Sequence, residues 1–197
     1  MDQILFIITG FFVGLLVGLT GVGGGSLMTP LLIFGFGVKP VVAVGTDLVF
    51  AAITKVTGIW IHWRKDNIDW RVAGLMVLGS FPSSLLTVYL MSQIDLDTPL
   101  MNLLVKEGLG VALVLTSLAL VFRRRMNRIG RNLKAGIPGY HNGWRNIATV
   151  FAGIFLGILV TISSVGGGAL GVAMLAFMYP AFSTRRIVGT DLAYAVP

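Results

Sequence analysis

The chain has 197 residues, 55% of them hydrophobic and only 12% charged, with a mean hydropathy of +0.88 and a formal charge of +7. An ordinary soluble domain carries about 25% charged residues, so this chain cannot hide its apolar surface in one aqueous core. It has no cysteine, which excludes disulfides, thiolate catalysis and cysteine metal sites.

A bilayer needs about 20 apolar residues for each spanning helix. In chain order, apolar segments run near 4–21, 25–37, 41–62, 71–92, 100–122, 146–164, 168–180 and from 187 onward. The fold class expected is all-α, a polytopic transmembrane helical bundle. Met1-Asp2-Gln3 places no Lys or Arg ahead of the first run, which ends in glycines without a cleavage site, so it reads as a retained helix and not a signal peptide. Basic residues cluster at Arg64, Lys65 and Arg71, and again from Arg123 to Arg145, whereas Asp95 and Asp97 between them have no cation. Two cytoplasmic basic loops and an outward acidic tip satisfy the positive-inside rule, with Trp60, Trp63, Trp70 and Trp144 as interfacial anchors of the same leaflet. Membrane orientation therefore accounts for the positive charge, and the partner implied is the lipid bilayer, not nucleic acid.

The sequence repeats itself. Gly10 to Gly25 (GFFVGLLVGLTGVGGG) returns as Gly153 to Gly168 (GIFLGILVTISSVGGG), and Val44-Gly45-Thr46-Asp47-Leu48 returns as Val188-Gly189-Thr190-Asp191-Leu192. Two matched motifs in one order point to duplication. The first unit holds five apolar segments, so the second starts from the opposite side of the membrane and the repeat is inverted. Charges agree: Lys39 stands alone where the second unit has Arg185 and Arg186. The domains expected are a first transmembrane repeat over 1–122, a basic cytoplasmic loop over 123–145 and an incomplete second repeat over 146–197. Counterparts of about 50–122 are lacking, so the sequence reads as a fragment of a longer protein, the alternative being that another chain supplies them.

Gly21-Val22-Gly23-Gly24-Gly25-Ser26 lacks the Gly-Lys-Ser/Thr ending of a phosphate loop and follows a hydrophobic helix, not a strand. Inside a membrane segment, adjacent glycines break the helix and leave N–H groups that lipid cannot satisfy, so the break must be buried or line a wet cavity. Half-helices broken at matching places in inverted repeats point to a transporter's central site, their N-termini favouring an anion. The small residues Ser26 and Ala169 leave that backbone accessible. The competing reading is that the glycines only allow close helix packing. Asp47 and Asp191, costly near lipid, are candidates for proton coupling, or alternatively cap helix starts. Lys55, two turns beyond Asp47, either adds positive charge at an anion site or snorkels. Lys106 and Glu107 read as interfacial. His62 and His141 receive no role, and no metal or cofactor is expected.

The paired GVGGG and VGGG motifs, the two VGTDL motifs and Ala51 to Trp70 (AAITKVTGIWIHWRKDNIDW) resemble the sulfite exporter TauE/SafE family of bacterial membrane permeases. The resemblance implies an all-helical permease with two related halves, moving sulfite, sulfonates or other small organic anions across the inner membrane. Residues and resemblance together give an ion-coupled anion transporter, not an enzyme. Backbone N–H groups around Gly23, Gly24, Gly25, Ser26, Gly166, Gly167 and Gly168 would hold the anion, Lys55 would add charge, and Asp47 and Asp191 would couple protons. A passive anion channel and a non-transporting membrane subunit remain the alternatives, and the sequence leaves a homo-oligomer open.

Overall fold

The structure, a computed structural model, describes residues 2–20, 23–94, 98–136 and 142–195, with side chains described for 7–17, 23–94, 98–122 and 143–195. Among the described residues every regular element is helical. Helix α1 (Asp2–Thr20) leads into a 3₁₀ turn, Gly24–Ser26, a single α-helical turn α2 (Met28–Pro30) and a widened π turn, Leu31–Gly35. Then follow α3 (Pro40–Arg64), α4 (Trp70–Ser92), α5 (Pro99–Gly136), α6 (Asn142–Ser163), α7 (Ala169–Met178) and α8 (Thr184–Tyr194).

Among the described residues four stretches are long and apolar enough to cross a membrane: Pro40–Arg64, Trp70–Ser92, Pro99–Phe122 and Gly143–Ser163. Their outward faces carry large apolar side chains, among them Ile53, Leu78, Val114 and Phe151, as lipid-facing surfaces must. The chain is thus a multi-pass integral membrane protein. Trp60, Trp63, Trp70 and Trp144 are all more than half exposed, as interfacial anchors and not core aromatics would be. Lys106 and Glu107 are exposed as well.

The core lies around α7, where Leu170, Val172, Ala173, Leu175 and Ala176 are buried against residues of α4, α5, α6 and α8. A helix of ten residues spans only about 15 Å, so α7 is an interior half-helix. The closest helix pair is α4 with α6. A Cβ at Gly79 would collide with the Val150 carbonyl, one at Gly153 with the Met76 carbonyl, and one at Gly157 with Ser83 Oγ. Small residues on both helices therefore let the backbones touch, as membrane helices do when dispersion and interhelical hydrogen bonds drive association. Ser83 Oγ donates to the Ile154 carbonyl at 3.2 Å and Ser84 Oγ to the Gly157 carbonyl at 3.3 Å.

Two expectations change shape. The second apolar segment is not one half-helix but three short turns of different pitch, with Pro30, which has no N–H to donate, at the junction of the α-helical and π turns. The basic stretch expected as a loop is helical to Gly136, as an extension of α5. Gly21, Val22, Asp95, Asp97 and His141 lie outside the described residues.

Candidate functional site

Both glycine runs break their helices where expected. Gly23 (φ 95°) precedes the first short turn and Gly168 (φ 146°) precedes α7, and neither start carries a side-chain cap. These are conformations that residues with a Cβ rarely adopt. The second break is held by its own serines: Ser163 Oγ donates to the Leu159 carbonyl at 2.6 Å and accepts from the Val165 N–H at 3.1 Å.

The two breaks meet. A Cβ on Gly23 would lie 3.1 Å from the Gly167 carbonyl oxygen, and one on Gly25 would fall on the Ser164 carbonyl. Against this crossing α3 delivers Asp47, which is fully buried. Its Oδ2 accepts from Thr29 Oγ1 at 2.9 Å and from Ser164 Oγ at 2.7 Å, one hydroxyl from each broken segment. Its Oδ1, also buried, has no hydrogen-bond partner among the described residues, and a Cβ on Gly24 would sit 3.3 Å from it. Asp47 thus joins the two breaks through a single oxygen.

Asp191 is 2% exposed. Its Oδ1 and the Tyr194 hydroxyl both crowd Gly171 of α7, where a Cβ would collide with either. The capping reading of the two aspartates fails on position. Asp47 lies well inside α3, and α8 is capped by Ser183, whose Oγ accepts from the Arg186 N–H at 3.3 Å. Thr46 Oγ1 donates back to the Val42 carbonyl at 2.8 Å, within its own helix. Lys55 reaches the second break: a Cβ on Gly167 would be 2.7 Å from Lys55 Nζ. Its ammonium thus lies against the second break and not along the outer face of α3.

Not every residue expected at the site lines the same space. Ser26 Oγ donates to the Gly23 carbonyl at 2.9 Å, a local bond, and the contact of Gly23 with Gly167 leaves no gap for an anion between those two residues. The space is to one side, a cavity of about 340 Å³ lined by Leu48, Ser80, Ser84, Thr161, Gly167 and Tyr194, among others. Of the predicted glycines, Gly167 is the one that lines it. Thr29, Ser164 and Tyr194 were not anticipated as partners of the aspartates. The available signal was Ser164, a non-glycine at φ 58° standing where the first copy of the motif has Gly21.

On the side of the α3–α4 connection the second GTD motif is sealed. The Asp69 N–H donates to Thr190 Oγ1 at 3.0 Å, Asp69 Oδ1 accepts from the Val72 N–H at 3.1 Å, and Arg186 donates to Asp69 Oδ2 at 2.9 Å. Gly189 packs on the Asn67 carbonyl, and a Cβ there would lie 2.9 Å from His62 Nδ1. His62, given no role from sequence, therefore closes this contact.

The model of the sulfite exporter TauE/SafE family matches residues 6–197. The chain belongs to this family. Over 193 residues it is 34% identical to the probable membrane transporter protein YjnA of Bacillus subtilis (strain 168), covering 98% of this chain and 74% of that one. It is 28% identical over 184 residues to the probable membrane transporter protein MJ0441 of Methanocaldococcus jannaschii, covering 89% of this chain and 62% of that one. No solved structure matches. Family and relatives place this TauE/SafE chain among membrane transporters.

Proposed function

We propose that the chain forms the larger part of an ion-coupled permease for small oxyanions such as sulfite or sulfonates, built from two inverted repeats of which the second is incomplete. The observation that carries this reading is the convergence of both glycine breaks on Asp47, with Lys55 Nζ against the second break and a cavity of about 340 Å³ beside it. A cavity of that size is near the lower end of ligand pockets, about 300–1,000 Å³, which suits a small anion. The uncapped start of α7 turns the positive end of its dipole toward the break. Lys55 supplies a full positive charge, and Asp47 and Asp191 supply two protonatable groups that the same lysine balances. An anion arriving beside Lys55 competes with the carboxylates for it, so substrate binding favours protonation of an aspartate. That competition is the physical basis of coupling.

The inverted repeat is supported by the matching roles of the two motif sets: each glycine triplet starts a short segment, and each GTD aspartate is buried against one of them. The test is flux of labelled sulfite into proteoliposomes with and without a pH gradient, for the native chain and for Asp47→Asn. Gradient-driven uptake that the variant loses is the expected result. Uptake that ignores the gradient in both proteins would replace a coupled carrier with a passive channel.

A further inference from the structure

The two copies of each motif keep Gly10 and Gly14 as Gly153 and Gly157, and Gly45 and Thr46 as Gly189 and Thr190, but differ in what covers them. In α6, Gly153 and Gly157 press on the backbone of α4, where a Cβ on Gly157 would lie 2.6 Å from the Ser80 carbonyl oxygen. Their counterparts in α1 are Gly10 and Gly14, and among the described residues neither has an atom beyond its own helix backbone and chain neighbours within 4 Å of where its Cβ would be. The same contrast recurs at the second motif. Gly189 and Thr190 are buried under Asn67, His62 and Asp69 of the α3–α4 connection. Gly45 has open space around it and Thr46 is exposed.

In the covered copy, both lids come from one continuous stretch of chain, the end of α3, its connection and α4. In the uncovered copy, the two vacant faces lie at the equivalent places on α1 and α3. Lipid explains an exposed apolar face, but it does not explain a Gly-xxx-Gly groove whose duplicate grips a helix, since lipid-facing positions gain nothing from lacking a side chain. We infer that the groove at Gly10 and Gly14, together with the open face at Gly45 and Thr46, is the seat of a transmembrane helix and its preceding loop. That helix is the second repeat's counterpart of α4 and presents the same face of small residues, Gly79, Ser80 and Ser83 in α4. The inference rests on the inverted-repeat reading. Length permits the occupant, since about a quarter of the YjnA relative lies outside the matched region.

The test uses the absence of native cysteine. The 197-residue chain carrying Gly14→Cys is reconstituted in liposomes with a synthetic peptide of residues 66–93, a stand-in for the inferred helix because it contains α4. The peptide carries Ser83→Cys on the small-residue face or Leu86→Cys on the outward face, and its helical insertion is checked by oriented circular dichroism before oxidation. In parallel, Lys39→Cys and Arg185→Cys are labelled from one side of the membrane with an impermeant maleimide. The expected result is a chain–peptide disulfide several-fold stronger with Ser83→Cys than with Leu86→Cys, and labelling of Lys39→Cys and Arg185→Cys from opposite sides. Opposite-side labelling without the face-specific disulfide would overturn the docking seat and leave the repeat standing. Same-side labelling would overturn the repeat itself. A chain–chain disulfide that excludes the peptide would assign the groove to a second copy and also overturn the inference.

Discussion

Replacing Asp47 with alanine removes the one oxygen that accepts from both broken segments, Thr29 at 2.9 Å and Ser164 at 2.7 Å. Side-chain hydrogen bonds between membrane helices contribute about 0.6 kcal/mol on average and up to about 1.7, so losing both is expected to cost about 1–3 kcal/mol. Both donors are buried and no water reaches them from lipid, which favours the upper half of that range. Asp47→Asn keeps the shape and a carbonyl acceptor, so its cost should stay below about 1 kcal/mol. The assay is titration of the chain with sodium dodecyl sulfate in mixed micelles, followed by loss of helical circular dichroism. A double-mutant cycle with Ser164→Ala then isolates the pair. Coupling indistinguishable from zero, or an asparagine variant as unstable as the alanine one, would refute the view that Asp47 fastens the two breaks together.

Gly157→Ala forces a Cβ to within 2.6 Å of the Ser80 carbonyl oxygen, where ordinary contacts begin near 3.4 Å; separating α4 and α6 that far should cost about 1–3 kcal/mol in the same titration. Gly14→Ala meets nothing and should leave this chain unchanged or stabilise it by about 0.5–1 kcal/mol through helix propensity. Lys55→Met keeps the stem and removes the charge at the second break, so sulfite flux in proteoliposomes should fall to background while the helical signal persists. Arg186→Ala opens an ion pair whose arginine side chain is 47% exposed and should cost under about 1 kcal/mol. Asp69→Ala also removes the α4 cap and should cost about 1 kcal/mol more.

Much of this was legible in the sequence. Apolar length alone located the helices within a few residues, except for the C-terminal end of α5, because lipid-facing positions such as Ile53 and Val56 of α3 are apolar. Periodicity could not show that the segment after Gly25 changes pitch at Pro30, nor that α5 continues through its arginines, where the shift from apolar to basic residues reads as a loop. The aspartates and Lys55 stood out because charge in lipid is expensive. Their hydroxyl partners did not, because serine and threonine are cheap in membrane helices. Ser164 also reaches Asp47 across 117 positions of sequence. The glycines carried two meanings at once, a helix break at Gly23 and Gly168 and close packing at Gly79 and Gly153, and only their neighbours separate the two.

At the crossing, main chain lies on main chain: Gly25 faces the Ser164 carbonyl and Gly23 faces that of Gly167, with no side chain between them. Side chains can yield by changing rotamer, but peptide planes cannot. Sliding one broken segment past the other would drive Gly25 through a carbonyl, whereas rotation about the contact keeps every distance. The crossing is therefore a stiff backbone-on-backbone contact, and Asp47, bonded to both broken segments, is fixed at that contact.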